Sequence, residues 1–428
     1  MTRHRKFVEA GKHGEVEITQ AEARWLIDRR LAAVSPSKVP GRFDLKMENV
    51  VGAIRFGDLQ VTIRPKLEVG DAMNLIAYSR YIDEWQSDEA DLEGAGFTVV
   101  LAGLYRRMLE RALRYGIPQG YHNVDTSGPL LRGRIRIPDQ LSRHHGRLVP
   151  FEMNYDEYGN DIAENRILLA ASRVLLRALM AEVPGERTFN AVRSQDPQKG
   201  PQPSSGQLRE EIVRLRRLIS LFRDVGALVE GRLLPDWTAT RLNEHLVPAL
   251  RLAELVLGGR GVDIQDGRIR GNGLLINMWR VFEAAVARAV KEGLPGYHVE
   301  AQYTKVISDG GLKVRPDLVI LDGGHPVAVI DTKYKTCPDD HSLPRDDLFQ
   351  AVTYATVFGL DEVTLLYAGP CQNRSIKISA GSDITASEKK DITVRFLGLN
   401  IPEIANGRLV DCLPLSLSAS RKGQRQGS

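Results

Sequence analysis

Near the C-terminus the chain reads RPDLVILDGGHPVAVIDTKYK, from Arg315 to Lys335, and this stretch brings two carboxylates and an ammonium within reach of one another. Two runs rich in Val, Ile and Leu flank Asp322-Gly323-Gly324, a turn signal, and so form a β-hairpin. Pairing Leu321 with Val327 across a five-residue loop sets Asp317 directly opposite Asp331, because antiparallel partners keep a constant index sum. Side chains alternate faces along a strand, so Lys333 shares the face of Asp331. Two like charges so close repel each other and are costly to desolvate, and a divalent cation removes both problems. Mg²⁺ suits such a pair, since it takes one or two carboxylates and fills its shell with water and phosphate oxygens; Mn²⁺ has similar preferences. Lys333 is placed to orient or deprotonate a water, or to stabilise charge on a transferring phosphate. The plainer reading is a hairpin with solvated charges at one end, but both aspartates border strongly apolar runs where solvent is scarce.

Pro316-Asp317 followed by Asp331-Thr332-Lys333 resembles the PD-(D/E)xK nuclease family. Leu274 to Val290 has helical periodicity, with Glu283 inside the stripe Ile276, Trp279, Glu283, Val286, Val290. A carboxylate in an apolar stripe needs a partner. The resemblance implies a helical Glu beside the metal; an ordinary salt bridge from Glu283 to Arg280 or Arg288 is the alternative, with equal weight. Downstream, Asp346 to Phe358 reads as a helix capped by Asp346 or Asp347 and stopped by Gly359. It sets Gln350 and Tyr354 on one face, four residues apart. That Gln-xxx-Tyr helix, directly after the D-x-K strand, resembles the RecB-like branch of these nucleases, which implies that both residues border the active site and the DNA. A strand from Val363 to Tyr367 follows, so helix, hairpin, helix and strand build a small α/β core.

The rest of the chain reads as support. Residues 1–150 form a mixed β/α domain. Thr19 and Glu22 make a capping box for a helix to about Leu31, and Val50–Phe56 and Leu59–Arg64 make a hairpin at Gly57-Asp58. Phe97 to Tyr115 is an amphipathic helix with Arg106, Arg107, Arg111 and Arg114 on its outer face. Leu130 to Leu141 alternates Arg132, Arg134 and Arg136 like a half-exposed strand. Such arginines suit phosphates or an acidic protein surface, although a solvated face is the commoner outcome for any one stripe. Residues 151–265 read as helical, with helices over Ile162–Met180 and Asn243–Leu257 and an apolar seam at Leu208, Ile212, Leu215, Ile219 and Phe222. A Pro/Gln/Ser-rich loop occupies 194–206. The nuclease-like domain spans 266–415, and 416–428 should be disordered.

Composition narrows the class. A chain of 428 residues holds two or three domains, and a net charge of +4 permits nucleic-acid binding without requiring it. Three widely spaced cysteines and nine histidines without ligand spacing imply neither a disulfide framework nor a zinc site. No apolar run nears the ~20 residues that cross a bilayer, and the basic N-terminus lacks the apolar core of a signal peptide. The expectation is a soluble cytoplasmic protein with no membrane contact. No GxxxxGK[ST] loop occurs, so this chain alone should bind and hydrolyse no nucleotide by a P-loop mechanism.

Segments along most of the chain are similar to the McrC family, the nuclease subunits of McrBC-type modification-dependent restriction systems. They are VGAIRFGDLQVTIRPK (Val51 to Lys66), LLRGRI (Leu130 to Ile135), YDEYGNDIAENRILLAA (Tyr155 to Ala171), MWRVFE (Met278 to Glu283) and the nuclease motifs. The resemblance implies a multi-domain α/β chain with a C-terminal restriction-endonuclease-like core. It further implies a separate McrB-like AAA+ GTPase, which recognises methylcytosine-type modification in double-stranded DNA and is contacted and stimulated through the N-terminal part. The site it implies has Asp317, Asp331 and Glu283 on Mg²⁺, Lys333 on the water, and Gln350 and Tyr354 orienting the substrate strand or Lys333. Two other functions remain open: a stand-alone RecB-like repair nuclease, and a non-catalytic activator or scaffold of an AAA+ ring. The intact Asp317, Asp331 and Lys333 argue against the scaffold.

Overall fold

The computed structural model describes residues 3–82, 96–183, 205–228, 233–258, 273–335, 337, 344–369, 374–380, 390–399 and 401. The Pro/Gln-rich stretch 194–204 and the tail 416–428 lie outside them. The protein is mixed α/β and divides into two compact units, one of Met1–Arg64 with Ala90–Ile276, the other of Pro65–Glu89 with Asn277–Ser428.

In the first unit a four-stranded sheet runs in the order Arg3–Val8, Leu59–Arg64, Val50–Phe56, Gly273–Asn277. Its central hairpin turns at Gly57-Asp58 with Phe56 opposite Leu59, as the sequence indicates. The capping box forms: Thr19 Oγ1 accepts from the Glu22 amide at 3.2 Å, and Glu22 Oε2 accepts from the Thr19 amide at 2.8 Å. The helix ends at Asp28, short of Leu31, because Arg30 takes a left-handed turn (φ 48°) that sends Leu31 into the core and starts the strand Ala32–Pro36. Phe7, Leu26, Leu45, Met47, Val61 and Ile63 fill that core.

Leu274–Asn277 is not the first turn of a helix. It is an edge strand on Val50–Phe56, and the helix begins at Met278. The close approach explains the switch: a Cβ on Gly52 (φ +136°) would lie 2.1 Å from the Leu274 carbonyl oxygen. Helical spacing of Leu274, Leu275 and Ile276 thus yields to a backbone partner that only the tertiary fold brings alongside.

The helices Phe97–Ala112, Ala163–Glu182, Ser205–Ile219 and Val247–Gly258 pack together in the same unit. Leu208, Ile212, Leu215 and Phe222 are buried as expected, joined by Leu218. Three local expectations fail here. Arg106 is not on a solvated face; it is buried and ion-paired to Glu110 at 2.7 Å and Glu211 at 2.8 Å, which ties two helices together. The helix expected from Asn243 starts at Val247 after a 3₁₀ turn, since Pro248 is tolerated only in a first turn. Of Leu130–Leu141 only Arg134–Ile135 is strand, and Ile137–His144 is a helix with Pro138 at its start. Arg136 there is bound by Asp139 at 2.6 Å and Asp125 at 3.5 Å, so it is not free for phosphates.

The second unit holds a six-stranded mixed sheet in the order His298–Ala301, Leu318–Asp322, His325–Lys333, Glu362–Ala368, Lys390–Leu399, Arg374–Ala380. The middle pairings are parallel and the outer ones antiparallel. Val319, Val329, Leu365, Val394 and Phe396 form the core under the helix Arg345–Phe358. The helix Val69–Ser79 packs on Met278–Gly293 in this unit, and Arg288 is stacked between Tyr78 and Tyr81 at 4.4 and 4.3 Å.

The hairpin turns more tightly than a five-residue loop. Asp322 pairs with His325 around Gly323-Gly324, both at positive φ, and Leu321 pairs with Pro326 and not with Val327. A bulge at Ile320/Leu321 leaves Val327 unpaired and restores the index sum, so Ile320 faces Ala328 and Leu318 faces Ile330. One step further along the same register, Asp317 comes opposite Asp331.

Candidate active site

Asp331 sits near the end of a central strand with its side chain turned into the fold, 2% exposed. Asp317 lies at the start of the neighbouring strand, where its Oδ2 accepts from the Thr332 amide at 2.8 Å and the Thr332 hydroxyl at 2.7 Å. Thr332, the middle residue of D-x-K, therefore fixes the first aspartate while its neighbours face the other way. Glu283 enters from the helix Met278–Gly293, 8% exposed. It pairs with neither Arg280 nor Arg288, and Arg288 is taken by Glu292 at 2.6 Å. Its partner is Gln302, whose Nε2 donates to Glu283 Oε1 and also points at Asp317 Oδ1, 3.4 Å away. Sequence reasoning missed Gln302. It occupies a left-handed backbone conformation (φ 56°), and its amide donates to the Asp317 carbonyl at 2.8 Å.

The electrostatics are those of crowded acids. Burial, then the charge of Asp317, pushes the Glu283 carboxyl up to about 7 against the pull of Gln302, Arg280 and Arg315. Burial, then Asp317, raises Asp331 to about 6, with Lys333 opposing. Asp317 acts on both, which places the three carboxylates in one field.

Lys333 is held from several sides. Its Nζ lies 2.6 Å from Asp331 Oδ2, donates to Gln350 Oε1 at 2.8 Å and lies 3.7 Å from Asp347 Oδ1. The ammonium thus lies against a buried carboxylate oxygen of Asp331. Gln350 Nε2 donates to the Tyr354 hydroxyl at 2.7 Å, and that hydroxyl donates to the Arg315 carbonyl at 3.2 Å. This one-way chain fixes the Gln350 amide with its oxygen toward Lys333. Burial, reinforced by Asp331, holds the Tyr354 hydroxyl above its ordinary range, so it stays a neutral donor.

Asp347 was expected only as a helix cap. It is buried, accepts from the Tyr367 hydroxyl at 2.8 Å and meets Lys335 Nζ at 2.7 Å. The helix N-cap is Pro344 instead. Behind the site, Lys66 Nζ donates to the Tyr334 carbonyl at 2.8 Å and rests 3.6 Å over its ring, and Tyr334 packs on Phe282 at 5.6 Å. Cys337, four residues past Lys333, is disulfide-bonded, a pairing that cysteine spacing did not reveal.

Among the described residues no three Asp, Glu, His or Cys side chains stand close enough to grip an ion unaided. A hard cation that takes one or two carboxylates and keeps water still fits Asp317 and Asp331, because burial, then the charge of Asp317, raises Glu283 and Asp331, and a cation would offset that cost beyond what the Lys333 ammonium does. No helix among the described residues is long and apolar enough to cross a membrane.

A chain in the solved assembly of Thermococcus gammatolerans McrB AAA+ hexamers with bound McrC has a similar fold. It is 16% identical over 96% of this chain and 100% of that one, with a TM-score of 0.51. A chain in the cryo-EM structure of the Thermococcus gammatolerans McrBC complex matches 69% of this chain and 89% of its own length, at 17% identity and TM-score 0.35. No curated protein matches. The family model for the McrBC 5-methylcytosine restriction system component matches residues 45–368, most of the length, and the chain belongs to that family.

Proposed function

We propose that this chain is the Mg²⁺-dependent DNA endonuclease subunit of a GTP-driven restriction complex that cuts methylcytosine-containing DNA, with a PD-(D/E)xK core in its second unit. The observation that carries this reading is the meeting of Asp317, Asp331, Lys333, Gln350 and Tyr354 at one end of the sheet, with Glu283 in the same field. Asp317 and Asp331, assisted by Glu283, hold the ion. Mg²⁺ when bound lowers the pKa of a water and offsets charge on the scissile phosphate. Lys333 is an ammonium held between carboxylates and an amide oxygen, so it donates to the water or a phosphate oxygen and positions it. Gln350 and Tyr354 set the direction of that ammonium.

The partner is an AAA+ GTPase of the McrB type, which supplies the GTP hydrolysis. Its contact surface is the three-stranded sheet Gly120–Gly128, Arg134–Ile135, Phe151–Gly159 with the helix Ile137–His144. Across residues 120–159 only Glu152 and Met153 are buried, while Tyr121, Leu130, Leu141, Leu148 and Tyr158 are exposed. So much exposed apolar surface marks a macromolecular contact. The test mixes the full-length chain with the AAA+ protein encoded beside it, GTP, Mg²⁺ and methylated or unmodified duplex DNA. Cleavage should require all four components with methylated DNA. Cutting of unmodified linear DNA by the chain alone, at a rate the motor does not raise, would instead establish a stand-alone repair nuclease.

A further inference from the structure

Two arginines flank the acid cluster and act on it only through their charge. Arg280 lies one helical turn before Glu283, on the same side of the helix Met278–Gly293. Arg315 lies two residues before Asp317, and its carbonyl anchors Tyr354. The charges of both act on Glu283. Yet neither guanidinium makes an ion pair or side-chain hydrogen bond among the described residues. Arg280 Nε is buried with no acceptor, while its guanidinium rests against the Trp279 ring at 5.1 Å. Arg315 is exposed.

A buried guanidinium donor with no acceptor is costly, and folding normally supplies a carboxylate. The contrast is within this unit: Arg288, two turns along the same helix, has Glu292, the Tyr78 carbonyl and two tyrosine rings. What Arg280 and Arg315 lack among the described residues is an anion in direct contact, since the nearby carboxylates are engaged by Gln302, Thr332 and Lys333.

The geometry points to Arg280 and Arg315 as a phosphodiester clamp that grips the DNA backbone beside the scissile bond. This rests on the nuclease reading above. A planar fork of donors suits a phosphate better than a lysine would, because it can bond two oxygens at once. Lys333 remains the group aimed at the reacting centre, and the arginines hold the strand in register with it.

The experiment measures binding of the full-length chain to a short duplex by fluorescence anisotropy across a salt series, with Ca²⁺ in place of Mg²⁺. Cleavage is measured separately with Mg²⁺, GTP and the AAA+ partner. Arg280→Gln and Arg315→Gln should each weaken binding about tenfold, the size of one charge-assisted hydrogen bond, and lower the slope of log K against log salt by about one. Arg280→Lys and Arg315→Lys should restore the slope but not the full affinity. A purely structural role for Arg280 would shift its melting temperature and leave the salt slope untouched; that result overturns its assignment, and exposed Arg315 tests the clamp free of folding effects. Wild-type slope and cleavage in both Gln variants overturn the clamp while the nuclease reading stands. A wild-type chain that neither binds nor cuts DNA overturns both.

Discussion

On the proposed assignment, protons and the divalent cation compete for the same carboxylates, and their burial and crowding set how strongly. With Glu283 near 7 and Asp331 near 6, both are ionised at pH 8. At pH 6 Glu283 is ionised in about one molecule in eleven and Asp331 in about half, so the fully ionised site falls to roughly one in twenty. Apparent Mn²⁺ affinity, measured by isothermal titration calorimetry, should therefore drop about twentyfold from pH 8 to pH 6. Ordinary solvated carboxylates would give almost no change, since they are ionised at both pH values. Glu283→Gln should leave only the Asp331 share, a change of about twofold. The sign for stability follows from the same shifts. Both carboxyls are raised in the folded state, so they favour folding at low pH and lose that contribution as pH rises through about 6 and 7. The metal-free protein should melt at a lower temperature at pH 8 than at pH 6, and Mn²⁺ should raise the melting temperature more at pH 8. A wild-type affinity that changes less than twofold across this range would show that Glu283 and Asp331 do not carry the ion.

Other outcomes follow from single contacts. Lys333→Arg keeps the charge but not the compact ammonium between Asp331 and Gln350, so cleavage should fall sharply while Mn²⁺ binding persists; a near wild-type rate would reduce Lys333 to a bare electrostatic anchor. Asp347→Asn removes a charge shared by Lys333 and Lys335, and single-turnover cleavage should slow with unchanged Mn²⁺ affinity, whereas an unchanged rate would make Asp347 purely a tie for Tyr367. Phe282→Ala empties a fully buried site behind Tyr334 and should cost about 3–5 kcal/mol in chemical denaturation. A fragment starting near residue 266 strips the helix Val69–Ser79 from Met278–Gly293 together with the Lys66 contact, so its melting transition should be lower and broader than that of the full chain.

The residues of the candidate site were legible in the sequence because each sits in a short local pattern. A period of two placed Asp331 and Lys333 on one face, a spacing of four placed Gln350 and Tyr354 together, and the facing of Asp317 and Asp331 follows from a constant index sum. Even the wrong loop length did no harm, since the bulge at Ile320/Leu321 cancels the tighter turn before the register reaches the aspartates. Spacing also picked out Glu283 but left its partner open between a metal ion and a salt bridge to Arg280 or Arg288. The side chain that meets it in the protein, Gln302, comes from a separate strand end and a left-handed backbone position that carries no periodic signal. Asp347 looked like a cap because its neighbourhood is the start of a helix; its work on Lys333 and Lys335 depends on how that helix lies over the sheet. The same holds for Leu274–Asn277, whose apolar run satisfies helical spacing yet pairs with Val50–Phe56, more than two hundred residues away along the chain. Local patterns decide which residues share a face of an element. Which element meets which is decided by burial and by backbone hydrogen bonds between distant segments, and those exist only in the folded chain.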